Sequence, residues 1–276
     1  MEFADLGGAR MPLLGLGTYP LQGEEATRTV AEALALGYRH IDTAQMYGNE
    51  AAVGAGLRRS GLPRDDLFVV TKVHPDNYVG DRFAGSVQRS LEDLGLAHVD
   101  LLLLHWPHES APFEPVLDAL LATLEQGRAR FVGVSNFGPA DLALAVAHTK
   151  GRIACDQVEF HPLLDQSDLQ AEARAKGVTL TAYTPLGRGA VLDEPVLIDI
   201  ARRHGRTVAQ VTLRWIVQQG VAAVPMSRST ERLKDNLAVF DFALADDEMA
   251  AIGALRGKGR KVVAPAGRTF QWGREA

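Results

Sequence analysis

The chain has 276 residues, of which 46% are apolar and 23% charged, values that are ordinary for soluble globular proteins. Its formal net charge of -5, with no dense run of Lys and Arg, argues against a nucleic-acid partner. The single cysteine, Cys155, excludes an internal disulfide framework and a zinc cluster built on thiolates, and we interpret it as a small buried hydrophobe.

Neither a signal peptide nor an apolar run of about 18 residues is recognisable in the sequence. We therefore expect a cytoplasmic protein with no membrane partner. No linker interrupts the chain, so residues 1–276 are predicted to form one domain, with a loose C-terminal tail from about residue 257. The basic stretch 256–261 within it is interpreted as a mobile surface segment, and we expect a monomer.

Taken in chain order, the sequence begins with a hairpin over residues 3–11, which turns at Gly7-Gly8. Strand and helix patterns then alternate. The predicted strands cover residues 13–17, 38–41, 67–72, 99–105, 131–135, 154–160, 178–183 and 221–225. The predicted helices cover residues 24–36, 49–60, 82–94, 115–126, 139–149, 167–176, 195–204, 208–219, 231–239 and 246–255.

This alternation predicts an α/β protein of the (β/α)8 TIM barrel type, with the N-terminal β-hairpin and two extra helices. Several strands are apolar at consecutive positions, as expected when both faces of a parallel sheet are covered. The rival is a doubly wound dinucleotide-binding fold, which requires the pattern G-x-G-x-x-G after the first strand. Gly15 and Gly17 begin that pattern, but Pro20 takes the place of its third glycine, so the barrel is favoured.

Polar side chains follow successive strands of the predicted barrel. Asp42, Lys72 and His105 end three neighbouring strands, and Tyr47 follows Asp42 in the same loop. Each alone has an ordinary explanation as a turn cap or a solvated residue. Because the C-terminal ends of barrel strands meet at one mouth, four such groups together indicate a site.

The chemistry of this site follows from charge. A free tyrosine has a pKa near 10, and a nearby lysine ammonium lowers that pKa. A carboxylate such as Asp42 would hold the ammonium in place, and a neutral histidine could orient a substrate oxygen. Together, these side chains could then protonate a carbonyl oxygen as negative charge develops on that oxygen. None of these side chains can supply hydride, so a cofactor must.

These residues stand in segments that resemble the aldo-keto reductase superfamily, in the same order along nearly the whole chain. The matching segments are residues 15–19, 39–50, 70–72, 94–107, 133–137, 157–162 and 183–187. The resemblance implies a (β/α)8 barrel that binds NAD(P)H without a Rossmann motif and reduces aldehydes and ketones. Chain order and short loops are similar to the prokaryotic branch that includes 2,5-diketo-gluconate reductases.

Carried over by position, the resemblance implies roles for individual residues. Tyr47 resembles the general acid, Lys72 and Asp42 the pair that tunes it, and His105 the residue that orients the carbonyl. Tyr19 and Trp106 are expected to border the substrate. The implied cofactor-binding residues are Gly17, Thr18, Ser135, Asn136, Gln157, Tyr183, Thr184, Leu186, Ser227, Arg228, Arg232 and Asn236. No metal is expected.

One cofactor segment departs from the family. Met226 stands where a lysine usually contacts the 2'-phosphate of NADPH, and Arg228 is an additional cation. Since an arginine can clamp a phosphate with two hydrogen bonds, we expect NADPH to be preferred, with NADH tolerated.

The predicted substrate partner is a small carbonyl compound: an aldehyde, a dicarbonyl or a keto-sugar. This expectation rests on the short loops at 107–114 and 184–194. The tail from residue 257 is expected to form a wall of the site, with Phe270 and Trp272 as candidates to cover its mouth.

Two other functions are compatible with parts of this pattern. Barrel-shaped β subunits of potassium channels carry similar residues, so a nicotinamide-sensing regulatory subunit is the alternative. A metal-dependent hydrolase using His105 and His108 is disfavoured, because no acidic ligand cluster accompanies them.

Overall fold

The computed structural model describes residues 1–108, 111–259 and 261–263. Phe270 and Trp272, the aromatic residues proposed to cover the mouth, lie outside these residues. The first two strands, β1 (Phe3–Asp5) and β2 (Arg10–Pro12), form the predicted antiparallel hairpin. It precedes an eight-stranded parallel sheet in which the strands are hydrogen-bonded in chain order.

The strands of this sheet are β3 (Leu16–Gly17), β4 (His40–Asp42), β5 (Phe68–Val73), β6 (Val99–Leu104), β7 (Ala129–Ser135), β8 (Ile153–Glu159), β9 (Thr179–Tyr183) and β10 (Ala222–Ala223). The helices among the described residues are α1 (Gly23–Leu36), α2 (Glu50–Ser60), α3 (Arg82–Leu94), α4 (Phe113–Glu125), α5 (Pro139–His148), α6 (Ser167–Lys176), α7 (Pro195–His204), α8 (Val208–Val217), α9 (Thr230–Leu237) and α10 (Asp246–Gly253).

The first and last strands of the sheet meet and close it into a barrel. Leu14 pairs with Ala223 as an isolated parallel bridge, and the Gly15 and Gly17 amides donate to the carbonyls of Ala223 and Pro225, at 2.9 and 3.1 Å. A Cβ atom on Gly17 would lie 2.5 Å from the Val224 carbonyl oxygen. Glycine at this position therefore permits the close approach that completes the barrel.

The predicted fold is confirmed in its main features. Each gap between successive parallel strands contains a helix, and α7 and α8 both follow β9, while α9 and α10 both follow β10. The first and last barrel strands are shorter than predicted, because the chain there is joined by a bridge and single hydrogen bonds rather than by a continuous ladder. None of the described helices combines the length and apolarity needed to cross a membrane.

Helix α3 shows how the sequence positions these elements. Phe83, Val87, Leu91 and Leu94 recur at helical spacing, and all are buried against the core. The helix ends at Gly95, whose φ of 69° provides the left-handed turn that leads into β6. All residues of β5 and β6 are buried, as expected for strands that are covered on both faces.

The basic stretch that follows α10 is held more firmly than the sequence suggests. Arg256 donates hydrogen bonds to Ser167, Gln170 and Gln219 and lies over the Trp215 ring. The interpretation of this stretch as a mobile surface segment is therefore wrong for Arg256. Its long side chain covers apolar surface while the guanidinium finds polar partners on α6 and just after the end of α8.

Candidate active site

Asp42, Tyr47 and Lys72 meet at the C-terminal edge of the barrel. Lys72 Nζ donates to Asp42 Oδ1 at 2.7 Å, to the Thr43 carbonyl at 2.9 Å and to the Tyr47 hydroxyl at 3.3 Å. Asp42 is the last residue of β4, and Tyr47 ends a single 3-10 turn, Gln45–Tyr47, that immediately precedes α2. The lysine therefore bridges a carboxylate and a phenol.

The environment of this group keeps the lysine charged. Lys72 is fully buried and Asp42 is 2% exposed, so each charge would be costly alone. Burial by itself lowers the pKa of Lys72, but the charge and hydrogen bond of Asp42, together with Tyr47, outweigh it and raise the pKa. The ammonium stays charged because all three of its donor positions have acceptors.

The pKa of Tyr47 does not follow the simple expectation from the sequence. Burial raises this pKa, and Lys72 lowers it through its charge and hydrogen bond, but the net direction is upward. The lysine lowers this pKa as expected, but burial outweighs it, so the pKa of Tyr47 stays above its free value. Sequence reasoning counted the nearby charge but not the loss of water around the hydroxyl.

His105 follows β6 and presents a neutral imidazole beside the tyrosine. The two rings are 5.5 Å apart between centroids, in an edge-to-face arrangement at 78°. Burial and the nearby Lys72 charge hold the pKa of His105 well below its ordinary value. Its Nδ1 is buried and has no hydrogen-bond partner among the described residues. The neutral state predicted for this histidine is thus accounted for by its surroundings.

Four of the predicted nicotinamide-binding residues form one hydrogen-bonded group next to this centre. Gln157 Nε2 donates to Asp42 Oδ2 at 2.7 Å, across the barrel. The Ser135 hydroxyl donates to the Gln157 carbonyl at 2.6 Å, and the Tyr183 hydroxyl donates to Asn136 Oδ1 at 2.6 Å. The two oxygens of Asp42 are therefore shared between the lysine and an amide, which connects the two halves of the mouth.

The remaining predicted cofactor residues near the mouth lie in the loops after β3 and β9. Thr18 is fully buried, and its Oγ1 has no partner among the described residues. Thr184 has a φ of 50°, a conformation that is unusual for a β-branched residue, and its carbonyl accepts from the Gly187 amide. Leu186 is partly buried against the core.

The predicted phosphate-binding residues lie on the loop before α9 and on that helix, but they do not form one cluster. Arg228 Nε forms an ion pair with Glu25 of α1 at 3.0 Å. Asn236 is buried and hydrogen-bonds the Tyr38 hydroxyl. Ser227 Oγ accepts from the Ser229 amide at 3.0 Å. Arg232 is exposed and forms no ion pair with another described residue. No sequence pattern indicated Glu25, which lies 203 residues from its partner.

Tyr19 and Trp106 lie beside the catalytic candidates, as predicted for the substrate border. Tyr19 is 58% exposed and its ring lies 5.2 Å from that of Tyr47. The Trp106 ring lies nearly parallel to His105, with 6.5 Å between centroids and an interplanar angle of 22°. The Tyr78 hydroxyl donates to the Trp106 carbonyl at 2.9 Å, which fixes the backbone of this loop.

One element of the mouth was missed by sequence reasoning. Glu159, fully buried at the end of β8, accepts hydrogen bonds from the Val262 and Val263 amides at 2.7 and 2.8 Å and from His161 Nε2 at 3.1 Å. Burial raises the pKa of Glu159, but these hydrogen bonds outweigh it and lower the pKa. The Glu-x-His spacing at the end of a strand was a visible signal, but the partner of Glu159 in the tail could not be read from the sequence.

The described residues contain no group of three or more His, Cys, Asp or Glu side chains placed to hold a metal ion. Cys155 is fully buried, with its Sγ 3.3 Å from Thr181 Oγ1, and burial raises the pKa of the thiol to about 12. The interpretation of Cys155 as a small buried residue is confirmed, because a thiol in this state supplies almost no thiolate at neutral pH.

Comparison with known proteins places the chain in a family. The model of the aldo/keto reductase family matches residues 13–256. An aldo-keto reductase of Mycolicibacterium smegmatis is 39% identical over 96% of both chains. A 9,11-endoperoxide prostaglandin H2 reductase of Trypanosoma cruzi is 38% identical over 97% of this chain and 95% of its own.

The fold agrees with this assignment. The crystal structure of a candidate 2,5-diketo-D-gluconic acid reductase B superposes with a TM-score of 0.95 at 44% identity, covering 99% of this chain and 97% of the other. The resemblance noted from the sequence is thereby confirmed: the chain belongs to the aldo/keto reductase family, whose members are oxidoreductases that act on carbonyl compounds.

Proposed function

We propose that this enzyme reduces small aldehydes, dicarbonyls or keto-sugars to alcohols with NADPH, and that Tyr47 donates the proton. The observation that supports this most is the position of Lys72 Nζ, between Asp42 and the Tyr47 hydroxyl, next to a neutral His105. A phenol, a fixed cation and a neutral imidazole at one mouth suit the protonation of a developing alkoxide.

The residues at the mouth fit a nicotinamide cofactor by their donor set. Ser135, Asn136 and Gln157 supply two amides and a hydroxyl, the groups that pair with a carboxamide, and Tyr183 contributes a flat ring next to them. The buried, unpartnered hydroxyl of Thr18 lies in the loop after β3. A nicotinamide held by these residues supplies the hydride.

The chain's own residues account for the rest of the reaction. His105, neutral because of its depressed pKa, would donate a hydrogen bond from Nε2 to the carbonyl oxygen and orient it. Tyr47, kept protonated by its raised pKa, would transfer its hydroxyl proton to that oxygen. Lys72 would then stabilise the phenolate, since its ammonium already lies 3.3 Å from the hydroxyl. Asp42 keeps the ammonium in place.

The cofactor preference rests on the segment around α9. Arg232 is free of ion pairs among the described residues and can meet a 2'-phosphate together with Ser227 at the N-terminus of the helix. Arg228 must leave Glu25 to contribute. With Met226 in the usual lysine position, we infer that NADPH is preferred but that NADH is better tolerated than is usual in the family.

Oxidation of NADPH and NADH with a panel of small carbonyl compounds tests the proposal. We expect turnover that depends on the carbonyl, with a higher kcat/KM for NADPH. An NADH preference of about tenfold or more, equivalent to ~1.4 kcal/mol, would contradict the cofactor assignment. The absence of turnover with every compound and both cofactors would contradict the reductase assignment itself.

The regulatory alternative receives no support from the site or from these relatives. The two relatives compared here are named as reductases, and neither is named as a channel subunit. The proposed reductase would act as a monomeric cytoplasmic enzyme, a prediction that gel filtration and cell fractionation can test.

A further inference from the structure

The tail leaves one cation beside the substrate site. Lys261 Nζ lies 5.4 Å from the centroid of the Trp106 ring, and Trp106 itself lies against His105. Lys261 as a whole residue is exposed, but enough protein surrounds its ammonium that burial lowers its pKa, against the opposing charges of Glu159 and Asp156. The ammonium thus lies over the same indole that packs against His105.

This position is fixed by the protein rather than left to a free tail. Val262 and Val263, the two residues after Lys261, donate their amides to the buried carboxylate of Glu159. Two residues before it, the Gly259 amide donates to the Leu163 carbonyl at 2.9 Å. The backbone on both sides of the lysine is therefore anchored to β8 and to the loop that follows it.

The ammonium has no carboxylate partner among the described residues. No ion pair joins it to Asp or Glu in that part of the chain. The Glu159 carboxylate is occupied by His161 and two amides, while burial raises the pKa of Asp156 to about 8, so that this carboxyl is mostly neutral at pH 7. A cation over an aromatic face that forms no ion pair within the described residues is suited to meet an anion from a ligand.

We propose that Lys261 binds the carboxylate of the substrate, so that the enzyme prefers carbonyl compounds that also carry a carboxylate, such as keto acids and aldehydo acids. The carbonyl would lie at Tyr47 and His105, and the spacer between the two groups would cross the Trp106 indole. This inference rests on the proposed carbonyl reduction and specifies its substrate class. A carboxylate directly attached to the carbonyl would be too close to reach the ammonium.

A matched pair of substrates isolates the charge. 4-Carboxybenzaldehyde and methyl 4-formylbenzoate have the same ring and aldehyde but differ in the negative charge. In the wild type we expect the acid to have the lower KM. In Lys261→Gln, the kcat/KM for the acid should fall about tenfold, mainly through KM, because the contact is present in both ground and transition states. The ester should change by less than about twofold.

Two further variants separate charge from packing. Lys261→Arg should keep most of the preference for the acid, since it keeps the cation. Lys258→Gln removes an exposed lysine three residues away on the same segment and should leave both substrates unchanged. An equal loss for acid and ester in Lys261→Gln would show that the lysine only packs on Trp106, and no loss for the acid would exclude a contact; either result overturns the inference.

Because the ester lacks the negative charge, its reduction tests the reductase proposal separately from the role of Lys261. If the wild type reduces the ester but shows no charge-dependent preference, the reductase assignment stands and the role of Lys261 is wrong. If it reduces neither compound with either cofactor, the reductase assignment fails and the inference fails with it.

Discussion

The two ends of the proposed cofactor cleft are built differently. Around Tyr47 the polar groups are buried and already joined: Lys72 contacts Asp42 and Tyr47, and Gln157 holds the second oxygen of Asp42. Around α9 the cations are exposed, and Arg228 is engaged with Glu25. Chemistry that needs fixed geometry is prearranged at the buried end, whereas the proposed selection of the cofactor would depend on surface charges that must exchange partners.

The largest expected effect comes from removing the proposed proton donor at the buried end. Tyr47→Phe should lower kcat by about 10²–10⁴-fold, the usual contribution of a positioned general acid, while NADPH affinity measured by fluorescence titration stays nearly unchanged. Tyr19→Phe, which alters the neighbouring ring at 5.2 Å, serves as the control and should retain turnover. Near-normal turnover in Tyr47→Phe would show that another group donates the proton.

Breaking the buried ion pair should affect stability as well as rate. Lys72→Met leaves Asp42 buried without its cation, which costs about 3–5 kcal/mol in similar cases. We expect this loss in urea denaturation, together with a large fall in kcat and a shifted pH–rate profile. Lys176→Met, at an exposed pair with Glu172, should change stability by less than about 1 kcal/mol. An unchanged pH–rate profile in Lys72→Met would rule out its effect on the tyrosine.

Asp156, a buried carboxyl that forms no ion pair with another described residue, gives the opposite prediction. Burial raises the pKa of Asp156 to about 8, so between pH 4 and 8 the folded protein holds a proton that the unfolded chain has released. This group therefore destabilises the fold progressively as pH rises through that window. We therefore compare the free energy of unfolding of Asp156→Asn with that of the wild type, measured by denaturation at each pH. The difference in favour of the variant should grow by about 2–4 kcal/mol from pH 5 to pH 8.

The contrasting variant is Asp42→Asn, which should lose stability at neutral pH because it removes the partner of Lys72. If Asp156→Asn showed the same pH dependence as the wild type, the raised pKa of Asp156 would be refuted.

The smallest effect is expected at the exposed end. Glu25→Gln frees Arg228 and should improve KM for NADPH by about two- to fivefold, within the range of surface ion pairs, and leave KM for NADH unchanged. Glu24→Gln is the matched control, because Glu24 stands next to Glu25 on α1 but pairs with Arg59. Equal improvement for both cofactors, or none, would show that Arg228 does not meet the 2'-phosphate.

Much of the barrel could be predicted because its signals are local. The ranges of α3, α6 and α7 match the predicted ranges to the residue. A glycine directly after each of these helices marks its C-terminal end in the sequence. The strands β3 and β10 were overestimated, because their lengths depend on how the barrel closes between Leu14 and Ala223. Barrel closure joins distant parts of the chain and leaves no local pattern.

The candidate site likewise has features that local sequence patterns predicted and features that depend on distant contacts. Asp42, Tyr47, Lys72 and His105 could be proposed from their places at the ends of strands, and the barrel brings them together. Three features could not be predicted from the sequence: the direction of the Tyr47 pKa, the ion pair of Arg228 with Glu25 and the anchoring of the tail by Glu159. Each depends on burial or on contacts between residues far apart in sequence.

The sequence by itself determined the barrel, the four residues at its mouth and the resemblance to a family of carbonyl reductases, because residue type and spacing along strands specify these directly. The tertiary structure alone decided how much water each ionisable group loses and which distant charge it meets. Those two quantities set the pKa values around Lys72 and leave Lys261, which forms no ion pair with another described residue, next to Trp106.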